Sequence, residues 1–151
     1  MKSLLVFVIP VLISLPVCTA QESYMAASGN IVEYCSNDVP QDILDNQTIT
    51  STLTVSDVGD IADLDVKVNI NHMWISDLIV ELIAPDGTRT ELFSAVGRDQ
   101  GQFDNTILDD EASVSIKNGS SPYSGTYKPE GNLSRFYGKS MTGTWKLEVS
   151  D

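Results

Sequence analysis

From residue 48 onward, apolar and polar residues alternate with a period of two. Ile49, Ser51, Leu53 and Val55 share one parity and Thr48, Thr50, Thr52 and Thr54 the other. This pattern predicts a half-buried strand with a threonine outer face. Leu64, Val66, Val68 and Ile70 alternate with Asp65, Lys67, Asn69 and Asn71, the cleanest such run in the chain. Leu78, Val80 and Leu82 form a third inner face, with Ile79 and Ile83 on the other side. The "APDG" at 84–87 predicts a turn, because Pro85 fixes φ and Asp86-Gly87 tolerates positive φ. Thr88 to Phe93 then reads as the return strand of a hairpin. Residues 97–112 predict a long polar connection, and Ala112, Val114 and Ile116 a short strand. Residues 118–143, dense in Gly, Pro and Tyr, predict an ordered loop. Trp145, Leu147 and Val149 give the final alternation, with Trp145 in the core. No window outside the N-terminal segment has a helical period. Short strands with one wet face each predict an all-β fold of antiparallel sheets packed as a sandwich.

The N-terminus has a different pattern. Lys2 precedes the apolar run "LLVFVIPVLISLPV", too short for a comfortable membrane span and interrupted by Pro10 and Pro16. Cys18 and Ala20 occupy the small-residue positions before a cut at Gln21. Residues 1–20 are therefore expected to be an export signal, residues 21–37 a linker, and residues 38–151 the folded domain. The expected location is extracellular, or periplasmic or cell-surface in a bacterium. Loss of Lys2, the one charged residue of the leader, takes the net charge from −12 to −13. Such acidity repels nucleic acid and anionic membranes, so neither is an expected partner. Cleavage would also remove Cys18 and leave Cys35 as a buried thiol or one paired outside the chain.

Candidate chemistry is sparse. His72, the single histidine, lies five residues before Asp77, a pair that invites comparison with a protease triad. A serine protease needs a base, an orienting acid and an activated serine together, and no Gly-x-Ser-x-Gly elbow occurs here. No residue is therefore assigned to catalysis. Asp109, Asp110 and Glu111 are calcium candidates, since hard cations want several oxygen ligands. The alternative is a solvated acidic turn, and Asp57, Asp60, Asp63 and Asp65 carry the same two readings. Trp74 is either an exposed partner-binding aromatic or a lid over the end of the sandwich. Asn118 and Asn132 fit the N-glycosylation pattern, which matters only in a eukaryote; so does Asn46.

Six pieces in order, across roughly residues 38–151, resemble the P domain (Homo B domain) of kexin- and furin-like proprotein convertases. They are Asp45-Asn46; His72 with Asp77 and Leu78; Pro85, Gly87 and Thr88; Asp109 to Ala112; Gly125, Tyr127 and Pro129; and Gly143 to Asp151. The resemblance implies a jelly-roll, galactose-binding-like β-sandwich. It makes His72, Asp77, Pro85, Gly87, Thr88 and Trp145 structural motif residues. His72 would close one strand on its inner parity, and Asp77 would open the next. It also implies a non-catalytic module that stabilises or regulates a subtilisin-like serine endopeptidase, in cis or in trans, and affects its calcium dependence. Family members continue beyond the position of Asp151 with a closing strand, so that strand is expected to be missing here. The other class of function is a free-standing secreted module that binds protein or glycan, because a sandwich fold alone does not choose.

Overall fold

The computed structural model describes residues 2–8, 24–26 and 29–151. The described strands are β1 (Lys2–Val8), β2 (Tyr24–Ala26), β3 (Gly29–Cys35), β4 (Thr48–Val55), β5 (Asp63–Trp74), β6 (Ile79–Ile83), β7 (Arg89–Ser94), β8 (Asp99–Leu108), β9 (Tyr123–Tyr127) and β10 (Gly143–Ser150). They form two sheets, ordered β2-β3-β1-β5-β8-β9 and β4-β10-β6-β7. The second sheet is antiparallel throughout. The first is mixed, with β1 parallel to both β3 and β5 and β8 parallel to β9. The two sheets share one apolar core, as a β-sandwich requires.

The alternating runs become the inner faces. Leu53, Val55, Leu64, Val66, Val68, Ile70, Val80 and Leu82 are buried, as are Trp145, Leu147 and Val149. An aromatic row fills one part of the core: Phe93 stacks on Phe103 at 4.3 Å and Phe103 on Tyr123 at 4.9 Å. Trp145 meets Phe136 edge-on at 5.3 Å, and its indole N–H donates to the Met141 carbonyl at 2.9 Å. That bond lets a large side chain with one polar atom sit fully inside.

Several expectations are corrected. Residues 118–143 are not wholly loop, since Tyr123–Tyr127 form β9, and its parallel pairing with β8 means that the sheets are not antiparallel throughout. The connection at 97–112 contains strand β8. Its buried residues are Phe103, Thr106 and Leu108, a spacing that hides the period of two. The cause is a register shift opposite Val68 and Ile70, with Asn105 at φ 51°. Asn69 stabilises the irregularity, its side-chain oxygen accepting the Asn105 backbone N–H at 3.1 Å. Ala112 to Ile116 form no strand. A turn closes at Ala112, Val114 is 44% exposed, and Ile116 begins a 3-10 turn. Cys35 is disulfide-bonded. The expected thiol depended on losing Cys18 with the leader, whereas the chain with residues 1–20 present has two cysteines. Cys18 lies outside the described residues, as do residues 9–23 with the expected cut before Gln21. Strand β1 lies in the stretch read as a leader, and β2 and β3 in the stretch read as a linker.

Candidate functional site

The single histidine sits at one end of the sandwich. Strand β5 runs past it to Trp74, pairing His72 with Gly101 and Trp74 with Asp99 of β8. The chain then tightens into a 3-10 turn at Ile75–Asp77. Asp77 therefore precedes β6 in a turn and does not open a strand. Ile75 is fully buried and anchors this turn. A Cβ at Gly97 or Gly101 would run into the Ile75 side chain, so only glycine admits the anchor there. With Ile75 fixed inward, Met73 and Trp74 project outward at 64% and 46% exposure, and Ile79 follows at 44%. Beside them lies an open depression of about 520 Å³ lined by Asn71, His72, Met73, Gly101, Gln102, Ser121 and Pro122.

His72 is half-buried in this wall. Its Nδ1 accepts the backbone N–H of Trp74 at 3.4 Å. In a protease triad the same nitrogen donates its proton to the orienting aspartate. Asp77 is exposed and takes the Ser76 hydroxyl instead, at 3.1 Å. The hydrogen bonds of the described residues do not bring the two together. What this end offers is an aromatic and apolar surface of a kind that docks on another molecule.

The acidic loop faces elsewhere. The two carboxylate oxygens of Asp110 accept the backbone N–H groups of Leu133 and Ser134 at 3.0 and 2.8 Å, capping the 3-10 turn Leu133–Phe136. Asp109 accepts the N–H of Glu111 at 2.7 Å. The Glu111 carboxyl is pushed up by its hydrogen bond with Asp109, then by burial and the charge of Asp63. No group of three or more His, Cys, Asp or Glu is gathered as a metal site among the described residues. Asp57 and Asp63 receive the phenol hydroxyls of Tyr34 and Tyr137 at 2.7 and 2.8 Å. Asn118 and Asn132 are both exposed.

The remaining motif residues meet at structural junctions. In the turn at 84–87, the Gly87 N–H reaches the Ala84 carbonyl at 2.9 Å, with Gly87 at φ 84°. Lys139 pairs with Asp86 at 2.6 Å and bonds the Thr88 hydroxyl at 2.5 Å. Gly143, at φ 128°, lies where a Cβ would strike the Pro85 ring. Two residues of consequence gave little signal in the sequence. Met73 carries no chemistry of its own, and it is exposed beside the buried Ile75. Asp38, inside a turn-like stretch, accepts the Ser51 hydroxyl at 2.6 Å and the Thr52 N–H at 2.7 Å, tying the start of the domain to β4.

A family model, the proprotein convertase P-domain, matches residues 61–151. The chain belongs to that family. The matched stretch of this P domain runs from β5 through β10 and includes the His72 end. The extracellular serine protease of Aeromonas sobria is 30% identical over 106 residues, covering 70% of this chain. The P domain spans only 16% of that relative's length. A crystal structure of the serine protease of Aeromonas sobria is 28% identical, covering 72% of this chain and 17% of the other, with a TM-score of 0.46. A second, of the same protease with a chaperone, is 24% identical, covering 95% and 20%, also at 0.46. Among the described residues no helix is long and apolar enough to cross a membrane.

Proposed function

We propose that this P domain is a secreted, non-catalytic accessory module of a subtilisin-like serine endopeptidase of the proprotein convertase type, and that it packs against the catalytic domain and stabilises it. The observation that carries this reading is the family match across residues 61–151, in a chain whose relative is an extracellular serine protease several times longer. Geometry supplies a means. Met73, Trp74 and Ile79 stand exposed beside an open depression, supported from beneath by Ile75. Tryptophan is enriched among the few residues that carry an interface, and methionine at interfaces in general. His72 then has the role of shaping that wall, and calcium dependence would belong to the assembled enzyme. A free-standing adhesion module would use the same surface for protein or glycan, with no protease involved.

The experiment adds the chain to a subtilisin-like catalytic domain lacking its own P domain and follows the half-life of peptidase activity at a fixed temperature. The expected result is a longer half-life that Trp74→Ala abolishes. Unchanged inactivation with the chain in excess would refute the reading.

A further inference from the structure

Strands β3 and β5 are not neighbours; β1 lies between them and pairs with both. Against β5 it runs parallel over seven residue pairs, from Lys2↔Asp63 to Val8↔Asn69. Against β3 it runs parallel over five, from Lys2↔Ile31 to Val6↔Cys35. The same residues fall in the stretch whose charge and apolar run read as an export leader. Its removal would leave two facing strand edges, each with a ladder of backbone groups to satisfy. Such edges recruit other chains.

We propose that the gap between β3 and β5 is a strand-acceptor site, which takes an extended apolar segment of a partner polypeptide once the leader is removed. The resident strand defines the ligand. Its sequence is KSLLVFV, with one charge, at its first residue, and Ser3 as the one other polar side chain. The partner segment is therefore about seven residues long, apolar, free of proline and parallel to β5. Affinity comes from main-chain hydrogen bonds, as in other cases of strand addition to a sheet. A second copy of the chain is a poor donor. After cleavage it lacks Lys2–Val8, and its remaining apolar alternations, β4, β5, β6 and β10, are already paired in its own sheets. The proposal stands apart from the docking role given to Trp74, which ends β5 beyond the 63–69 stretch that pairs with β1.

The test uses the full chain and a Leu5→Pro, Phe7→Pro variant. Both prolines remove ladder donors from β1 and unseat it. The probe is a fluorescent peptide of sequence KSLLVFV with a soluble tail, and the control peptide carries proline in place of its second leucine. The variant is expected to bind the probe one to one, at least tenfold more tightly than the unaltered chain does. Probe binding should restore amide protection at residues 63–69. Equal binding of the proline peptide would overturn the proposal. So would dimerisation of the variant without probe uptake, or full protection of residues 63–69 with no peptide present. If the variant does not fold, a protease site placed after Ala20 allows the leader to be cut in the folded chain. Under reducing conditions, which open the Cys35 disulfide, the cut strand should exchange for probe, and a failure to exchange would overturn the idea as well.

Discussion

The carboxylate of Asp151 accepts the backbone N–H of Asn46 at 3.0 Å, across 105 residues of sequence. The Asp151 N–H in turn reaches the Gln47 carbonyl at 3.0 Å. Asn46 sits at φ 56°, a conformation that asparagine tolerates better than most residues. The first and last pieces of the family pattern thus form one clasp, which sets the register of β4 against β10.

Replacing Asp151 with alanine should loosen this clasp. A solvent-facing hydrogen bond of this kind contributes about 0.5–1.5 kcal/mol. The expected result is a fall of a few degrees in Tm, with faster amide exchange at residues 46–48 and no change near Trp145. An unchanged melt would show that the pairing of β4 with β10 holds without it.

Gly101→Ala tests how the apolar surface is supported. The new methyl has no room beside Ile75, and overpacking of this kind costs about 1–3 kcal/mol. Ile75→Val should recover part of the loss, so a double-mutant cycle in chemical denaturation should give a coupling above about 0.5 kcal/mol. Additive effects would mean that Ile75 does not anchor the Met73–Trp74 turn.

Stability should fall at both ends of the pH range for different reasons. Burial works to raise the Asp38 carboxyl, but hydrogen bonds from Ser51 and Thr52 outweigh it and hold the group below its ordinary 3.8. A depressed carboxylate contributes fully above the unfolded value and is lost as pH falls through the lower folded value. Tyr34 and Tyr137 are raised from 10.0 by burial and by their bonds to Asp57 and Asp63. Their contribution is complete below pH 10 and is lost as pH rises beyond it. Melts across pH should lose part of the acid dependence in Asp38→Asn and part of the alkaline dependence in Tyr137→Phe. Unaltered profiles would contradict these assignments.

The four-stranded sheet and β5 were legible, because β4, β5, β6 and β10 keep a strict period of two and the turn at 84–87 marks β7, whereas β5 is the one strand of the six-stranded sheet that the pattern shows. Strand β8 was not, because Asn105 and the irregularity opposite β5 break that period and bury Phe103, Thr106 and Leu108 instead. Val114 and Ile116 misled for the opposite reason. Their spacing matches a strand, yet Ile116 is buried from a 3-10 turn and Val114 faces water. At the candidate site, Trp74 was flagged by its type and position. Met73 was not, since its exposure depends on Ile75 turning inward between two distant glycines. The role of Asp110 as a cap was equally hidden, because its partners Leu133 and Ser134 lie 23 and 24 residues away.

The central claim is that this P domain stabilises a subtilisin-like catalytic domain by docking through its Met73–Trp74 end. The most direct measurement is the Tm of such a catalytic domain titrated with the chain. At a hundredfold excess over Kd, linkage contributes about 2.7 kcal/mol, which is a rise of roughly 5–10 °C for a domain of about 150–250 residues. The account predicts a rise that saturates with concentration, together with a longer-lived peptidase activity, both lost in Trp74→Ala. A catalytic domain whose Tm stays fixed across the titration would contradict it.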